Sequence, residues 1–414
     1  MKRFFLYAMM TAGILASCSQ SENEGLSGDE TDMLPSADKI LISASAPIAK
    51  IDATPTRSSG SIGADKDDLH GKWNNEILHI YACQKDPETG ITRADKITTT
   101  QDTYVLFDEK AKAIGGSDRG DITWLEGTPS RYFPRNGAYD FFGYYADNAI
   151  SDGTVAQVKD GKSGNGNKVL FKEFTITGAE DLMVAKAKLT DEQKPNLDQI
   201  DYNKAFSSYT ARRGVQPSMT FEHLLTRLVF FVDGEGNAAP EKAYVKSVTV
   251  KSKTTGELAV VYSDEDDKGI VWTTNDADRV PLALKERGDD GQMIDLVPAN
   301  SYAPRKDDPA KTIGEALLVE PEVESYEITV TIRQEEDANG NPIDKPEDTF
   351  TRILKASDVT TKDGTKLDKF KASNSYNITI SVYGVEKVEI EAVLGAWGEG
   401  GSASMNPDEF TDVQ

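Results

Sequence analysis

Apolar and polar residues in this chain alternate in short runs with a period of two, the spacing of a strand that buries one face. Such runs span Ile77 to Cys83, Thr103 to Phe107, Tyr139 to Tyr145, Val169 to Ile176, Tyr244 to Lys251, Leu258 to Tyr262, Tyr326 to Ile332 and Tyr376 to Tyr383. Turn-forming clusters punctuate them: Asp152-Gly153, Gly164 to Asn167, Asp233-Gly234 and Asn339 to Pro342. Glycine and asparagine in these clusters tolerate the left-handed backbone of tight hairpins. Many short strands separated in this way predict an all-β chain built of sandwiches, with little helix. One segment fits two periods, since Phe221, Leu224, Leu225 and Leu228 would stripe a helix as well as a strand. The run Leu228 to Val232 that follows is better strand material, so a strand is expected there.

A further alternating stretch lies near the N-terminus. Ile40, Ile42, Ala44, Ala46 and Ile48 interleave with Lys39, Leu41, Ser43, Ser45 and Pro47, which predicts a strand with one buried face. Residues 52–68 then turn rich in Pro, Gly, Ser and Asp, an exposed loop around Arg57 and Ser58 that a protease can enter. Ahead of the strand, residues 18–38 are an acidic spacer with almost nothing to bury. Residues 1–17 have the order of a secretory signal: Lys2 and Arg3, an apolar stretch from Phe4 to about Ala16, then Leu15-Ala16-Ser17-Cys18. That stretch is too short to span a bilayer. Small residues before a cysteine form a lipobox, so Cys18 is expected to become the acylated first residue. At about 0.8 kcal/mol per buried methylene, several acyl chains of the palmitate kind hold a protein at a membrane.

Composition narrows the possibilities. The chain has 69 acidic and 46 basic residues, a formal charge of -23. Such a field repels phosphate backbones and anionic lipid, so nucleic acid is not an expected partner. With two cysteines, one of them Cys18, Cys83 has no intramolecular partner and no disulfide framework can form. Stability must come from cores, and 414 residues suffice for two. The expected division is a first sandwich over 58–215, after the strand and loop of 39–57, and a second over 216–414. The dividing point is the connection from Arg212 to Pro217.

Candidate chemistry is sparse. The three histidines, His70, His79 and His223, lack the spacing of a zinc site, and His79 reads as the polar position between Leu78 and Ile80 of a strand. Asp264 to Gly269 is like a calcium loop, but Lys268 stands where an oxygen ligand belongs and Asn275 where a bidentate glutamate is required. Gly161-Lys162-Ser163 lacks the earlier glycine of a phosphate-cradling loop. Cys83 has no evident catalytic companions. No catalytic residue, metal site or cofactor is therefore expected, and the chain reads as a non-enzyme. Tyr132, Phe133, Tyr139, Phe141, Phe142, Tyr144 and Tyr145 could form a sugar-stacking platform, but their alternation favours a strand burying one or both faces.

Several segments, taken in order, resemble the fimbrillin superfamily of Bacteroidota, the group of major and minor fimbrial subunits and Mfa-like proteins. They are the lipobox, Pro55-Thr56-Arg57, Trp73-Asn74, Leu78 to Tyr81, Tyr132-Phe133-Pro134, and Tyr139 to Tyr145. Asp181-Leu182-Met183, Thr220 to Leu225, Leu296-Val297-Pro298, Tyr376-Asn377-Ile378 and Gly395-Ala396-Trp397 continue the series. The resemblance implies two transthyretin-like β-sandwich domains in tandem, exported as a lipoprotein to the cell surface at the outer membrane. It also implies a trypsin-like, arginine-specific protease that cuts after Arg57, removing the strand that carries Ile40, Ile42, Ala44, Ala46 and Ile48. A C-terminal strand from another pilin subunit then fills the vacated groove in the growing fimbrium, which serves adhesion. The tail from Gly398 to Gln414 is thin donor material, whereas Val388, Ile390, Ala392 and Leu394 alternate well. The alternative is a surface lipoprotein that binds glycans through its aromatic residues, with Trp124 and Trp397 as contacts, and never polymerises.

Overall fold

The computed structural model describes residues 40–44, 73, 75–86, 90–92, 94, 105–114, 121–126, 131–197, 204–234, 243–304, 308–337, 339–344, 346–359, 366–383, 388–395 and 402–403. Within them the fold is all-β. Each of the eight alternating runs coincides with a strand over its described residues. The second, described from Val105, belongs to a longer strand that extends to Ile114, in which Ala111 and Ala113 are buried although the sequence shows no large apolar side chain from Asp108 to Ala113.

The central element is a six-stranded sheet. It runs β3 (Asp121–Trp124), β2 (Val105–Ile114), β1 (Ile77–Gln84), β4 (Tyr139–Tyr145), β7 (Met183–Lys186) and β8 (Glu222–His223), every pair antiparallel. All seven residues of β4 are buried, because the sheet is covered on both faces. Even-numbered Phe142 and Tyr144, with Tyr81 and Cys83 of β1, enter one core. Phe141 and Tyr145, with Leu78, Ile80 and Ala82, enter the other.

The first core is closed by a second sheet, in the order β12 (Gly269–Trp272), β11 (Thr255–Val261), β6 (Lys168–Thr175) and β5 (Gln157–Asp160). Phe142 meets Tyr262 across it, edge to face at 5.3 Å. The β5–β6 connection uses Gly164 and Gly166 at φ of 69° and 81°, as the Gly-Asn-Gly-Asn cluster predicts. β11 and β12 follow residue 216 in the chain, yet β11 pairs with β6, placing Leu258 opposite Lys172.

A further core lies between two more sheets. One is β13 (Val280–Ala283), β10 (Ala243–Ser252), β17 (Ser325–Gln334) and β18 (Glu347–Lys355). The other is β16 (Lys311–Val319), β9 (Thr226–Gly234), β19 (Ser375–Val382), β20 (Val388–Gly395) and β21 (Ser402–Ala403). Phe230, Val248, Ile328 and Ile378 are all fully enclosed there. β9 and β19 run parallel, with Phe230 opposite Ile378. Leu228 to Val232 is strand, as expected, and Phe221 forms a bridge just before β8. Asp233-Gly234 does not turn the chain but ends β9, where it pairs with Ser381 and Val382 of β19. A hairpin of β14 (Lys285–Arg287) and β15 (Met293–Asp295) completes the strands.

Among the described residues helix is confined to short pieces such as α1 (Ser208–Ala211) and α2 (Pro298–Ser301). α1 opens on a capping box in which the Ser207 hydroxyl accepts from Thr210 N–H and the Thr210 hydroxyl accepts from Ser207 N–H. Among the described residues no helix is long and apolar enough to cross a membrane.

Candidate functional site: the seat of the N-terminal segment

The second face of the central sheet is not closed by a sheet among the described residues. Its cover is made of separate pieces: Ile42 and Ala44 near the N-terminus, Trp73, Phe133, and Phe206 to Phe221. Trp73 packs edge to face on Phe221 at 5.3 Å and on Tyr145 at 5.9 Å. Gly143 in β4 admits the Phe221 ring, since a β-carbon there would collide with its Cζ. The N-terminal segment is thus part of the wall of a core.

The alternation seen in the sequence decides which side chains enter. Ile42 and Ala44 are buried, Ile40 packs partly against the same core, and Leu41 and Ser43 face outward. Main-chain bonds hold the segment. Ile42 N–H donates to Arg131 O at 2.8 Å, Phe133 N–H donates to Ile40 O at 3.0 Å, and Leu41 and Tyr132 form an antiparallel bridge. Ile122 N–H of β3 donates to Ala44 O at 3.1 Å. Arg131 itself is anchored by an ion pair with Glu109 of β2. On the opposite edge, the Gln216 side chain bonds both Leu41 O and Ser43 N–H. Gln216 carries no local signal in the sequence; it lies in the Arg212 to Pro217 connection and only folding brings it to residue 42.

The remaining site residues divide into two sets. Cys18, Ala46, Ile48, Arg57 and Ser58 lie outside the described residues, as do His70 and Trp397. Val388, Ile390, Ala392 and Leu394 all belong to β20, which pairs with β19 along its whole length. Ile390 and Ala392 are fully buried in the third core.

Other candidate chemistry resolves into structure. His79 stacks on Tyr144, and His223 Nδ1 lies 2.7 Å from the buried carboxylate of Asp181, so the two rings have separate partners. Asp267 is buried and accepts from Ser163 N–H and Oγ–H at 2.7 and 3.1 Å, while Lys268 reaches Glu222 at 2.7 Å. The loop at Gly161-Lys162-Ser163 therefore cradles a carboxylate of this chain. Burial pushes the Cys83 thiol well above its usual range, which suppresses its nucleophilic form. Among the described residues no group of three His, Cys, Asp or Glu side chains could hold a metal. Of the aromatic run, Tyr132 is exposed and the other six are buried.

Residues 73–397 match the model of a family described as Fimbrillin-like. No curated protein matches the chain. Among solved structures, the chain is similar to a Bacteroides uniformis protein provisionally assigned to cell adhesion, with 15% identity over 88% of this chain and 100% of that one and a TM-score of 0.44. It is also similar to the fimbrial anchor protein from Porphyromonas gingivalis, with 11% identity over 87% and 99% of the two chains and a TM-score of 0.32. A fimbrilin from Porphyromonas gingivalis shares 10% identity over 87% and 99%, with a TM-score of 0.34.

Proposed function

We propose, from the premise that this chain belongs to the fimbrillin-like family, that it is a structural fimbrial subunit delivered to the cell surface as a lipoprotein anchored through Cys18. In this reading it has no catalytic role. Two transthyretin-like sandwiches form its body, with β11 and β12 lent by the second half, from residue 216, to the first, 58–215. Its partners are other pilin subunits, the outer membrane while the lipid remains, and an arginine-specific, trypsin-like protease that cuts between Arg57 and Ser58.

The observation that carries this reading is the burial of Ile42 and Ala44, with Ile40 against them, in a core whose other walls, among the described residues, come from beyond Arg57. A cut after Arg57 would detach this wall while leaving the rest of the chain continuous. Burying Ile42 alone contributes about 1.5–3 kcal/mol. Losing the segment also removes the partners that Ile42 N–H and Ile40 O give to Arg131 O and Phe133 N–H, an edge that can receive another strand. A strand from a second subunit restores both, so assembly needs no external energy source.

The candidate donor Val388, Ile390, Ala392 and Leu394 has the right alternation, but β20 must first leave β19 and expose Ile378 and Ile380. Exchange by this donor therefore requires β20 to give up its own ladder with β19.

The test is to treat the purified precursor with a trypsin-like protease and look for heat-labile, detergent-resistant ladders on gels. The wild type should form them and Arg57→Ala should not. A wild type that yields no ladder, with Arg57→Ala behaving identically, removes assembly from the account.

A further inference from the structure

The two main-chain edges of the N-terminal segment are met in different ways. Ile40 and Ile42 turn their peptide groups toward residues 131–133 and are paired there by backbone. Leu41 and Ser43 turn theirs the other way, and both are met by one side chain. Gln216 Nε2–H donates to Leu41 O at 3.2 Å, and Gln216 Oε1 accepts from Ser43 N–H at 3.3 Å. A primary amide offers a donor and an acceptor side by side, so this side chain stands in for one residue of a neighbouring strand.

Gln216 is itself fixed. Val215 and Pro217 on either side are buried. The Gln216 carbonyl accepts from Gln193 Nε2–H at 2.7 Å, and Gln193, also buried, accepts from Thr190 N–H at 3.2 Å.

We infer that Gln216 is a positioning residue for whichever strand occupies this seat, a clamp that reads backbone and ignores side chains. The residue between the two gripped groups is Ile42, which is 1% exposed. A slip of one residue would turn the gripped groups away from Gln216 and the apolar side chains out of the core, so the clamp fixes which alternate set points inward. Residue 216 lies beyond Arg57 and stays with the body after the cut. Its amide is then free to grip an incoming strand of different sequence in the same way. The inference deepens the assembly reading above and rests on it for the identity of the second occupant.

Two measurements on the full chain test it. In the uncut protein, Gln216→Leu should speed hydrogen exchange at the Ser43 amide several-fold, as loss of one net hydrogen bond requires, while the Ile42 amide, bonded to Arg131, keeps its protection. After cutting with an arginine-specific protease, a synthetic peptide of residues 39–49 is allowed to replace the native segment and its release is timed.

Release should be faster from Gln216→Leu, and faster from Gln216→Glu at pH 7, where a carboxylate cannot donate to Leu41 O. Near pH 4 the protonated Glu side chain regains a donor, and its release rate relative to wild type should recover. A peptide with Leu41 and Ser43 replaced by alanine should respond to Gln216→Leu as the native one does. Equal Ser43 exchange and equal release in all three proteins would overturn the clamp. If the wild type is not cut at Arg57, the assembly reading fails, while Ser43 exchange in the uncut chain still decides the role of Gln216.

Discussion

The imidazole of His79 lies flat on the ring of Tyr144 across the β1–β4 pair, with centroids 4.5 Å apart and planes inclined by 13°. Burial first, then the nearby Lys172 and Lys110, push its pKa down from 6.5 to about 4. Asp152, which is paired with Lys110, acts weakly in the other direction. The unfolded chain therefore takes up this proton before the folded one. The contribution of a neutral His79 is intact above pH 6.5 and is lost progressively as the pH falls toward 4. Asp147 works the opposite way, since burial pushes its carboxyl up from 3.8 to about 6 and the folded state binds that proton first. Comparing wild type with His79→Phe isolates the histidine. The urea midpoint of the wild type should fall relative to the variant between pH 6.5 and 4, and parallel curves would contradict the assignment.

Ile42 and Leu41 are adjacent, yet their substitution should have unequal effects. Ile42→Ala opens a cavity beside Trp73 and Phe133 and should cost about 2–4 kcal/mol in urea unfolding of the uncut chain. Leu41 is 48% exposed, and Leu41→Ala should stay within about 0.5 kcal/mol of wild type. Equal effects would mean that the segment is not a wall of the core in solution.

Gly143 and Phe221 are predicted to be coupled. A β-carbon at 143 would collide with Phe221 Cζ and press on Ile80 Cδ1, so Gly143→Ala should destabilise by about 1–3 kcal/mol. Phe221→Leu is costly alone but should relieve that collision. A double-mutant cycle should show a favourable coupling of about 0.5 kcal/mol or more, and strict additivity would rule out the contact.

The carboxylate cradle between Asp267 and Ser163 predicts an outcome for both substitution and metal. Asp267→Ala leaves the Ser163 N–H and hydroxyl without their buried acceptor and should lower stability by about 1–3 kcal/mol. Calcium or a chelator should leave the thermal midpoint unchanged, because Lys268 holds Glu222 and Glu265 at this turn and supplies the local positive charge. A calcium-dependent rise in the wild type would refute this account.

Strand positions were legible from alternation because a strand shows its two faces at adjacent residues, within reach of a window of five or six. Tyr139 to Tyr145 is strand to the residue, and Ile42 and Ala44 take the inward places their spacing implies, although residues 40–44 form a single bridge at Leu41 rather than a strand. The ordered resemblance of many short segments carried the family, although each alone is common. Local reading failed where a long-range partner sets the conformation. Asp233-Gly234 has turn chemistry, but Ser381 and Val382 of a distant parallel strand hold it extended.

Strand pairing is the part that no local pattern encodes. Hydrogen bonding between backbones is indifferent to side-chain identity, so nothing in Leu258 announces that it will lie opposite Lys172 and join the β6 sheet. Gln216 shows the same limit at a single residue. Its amide would suit solvent as well as a strand edge, and only closure of the chain, with Val215 and Pro217 buried beside it, sets it against Leu41 and Ser43. The chain's own pattern thus settled where strands lie and which faces are apolar, through side-chain chemistry repeated at short range. Which strands meet, and which polar side chain guards the N-terminal segment, depended on contacts between residues far apart in the chain, formed when burial of those apolar faces is satisfied all at once.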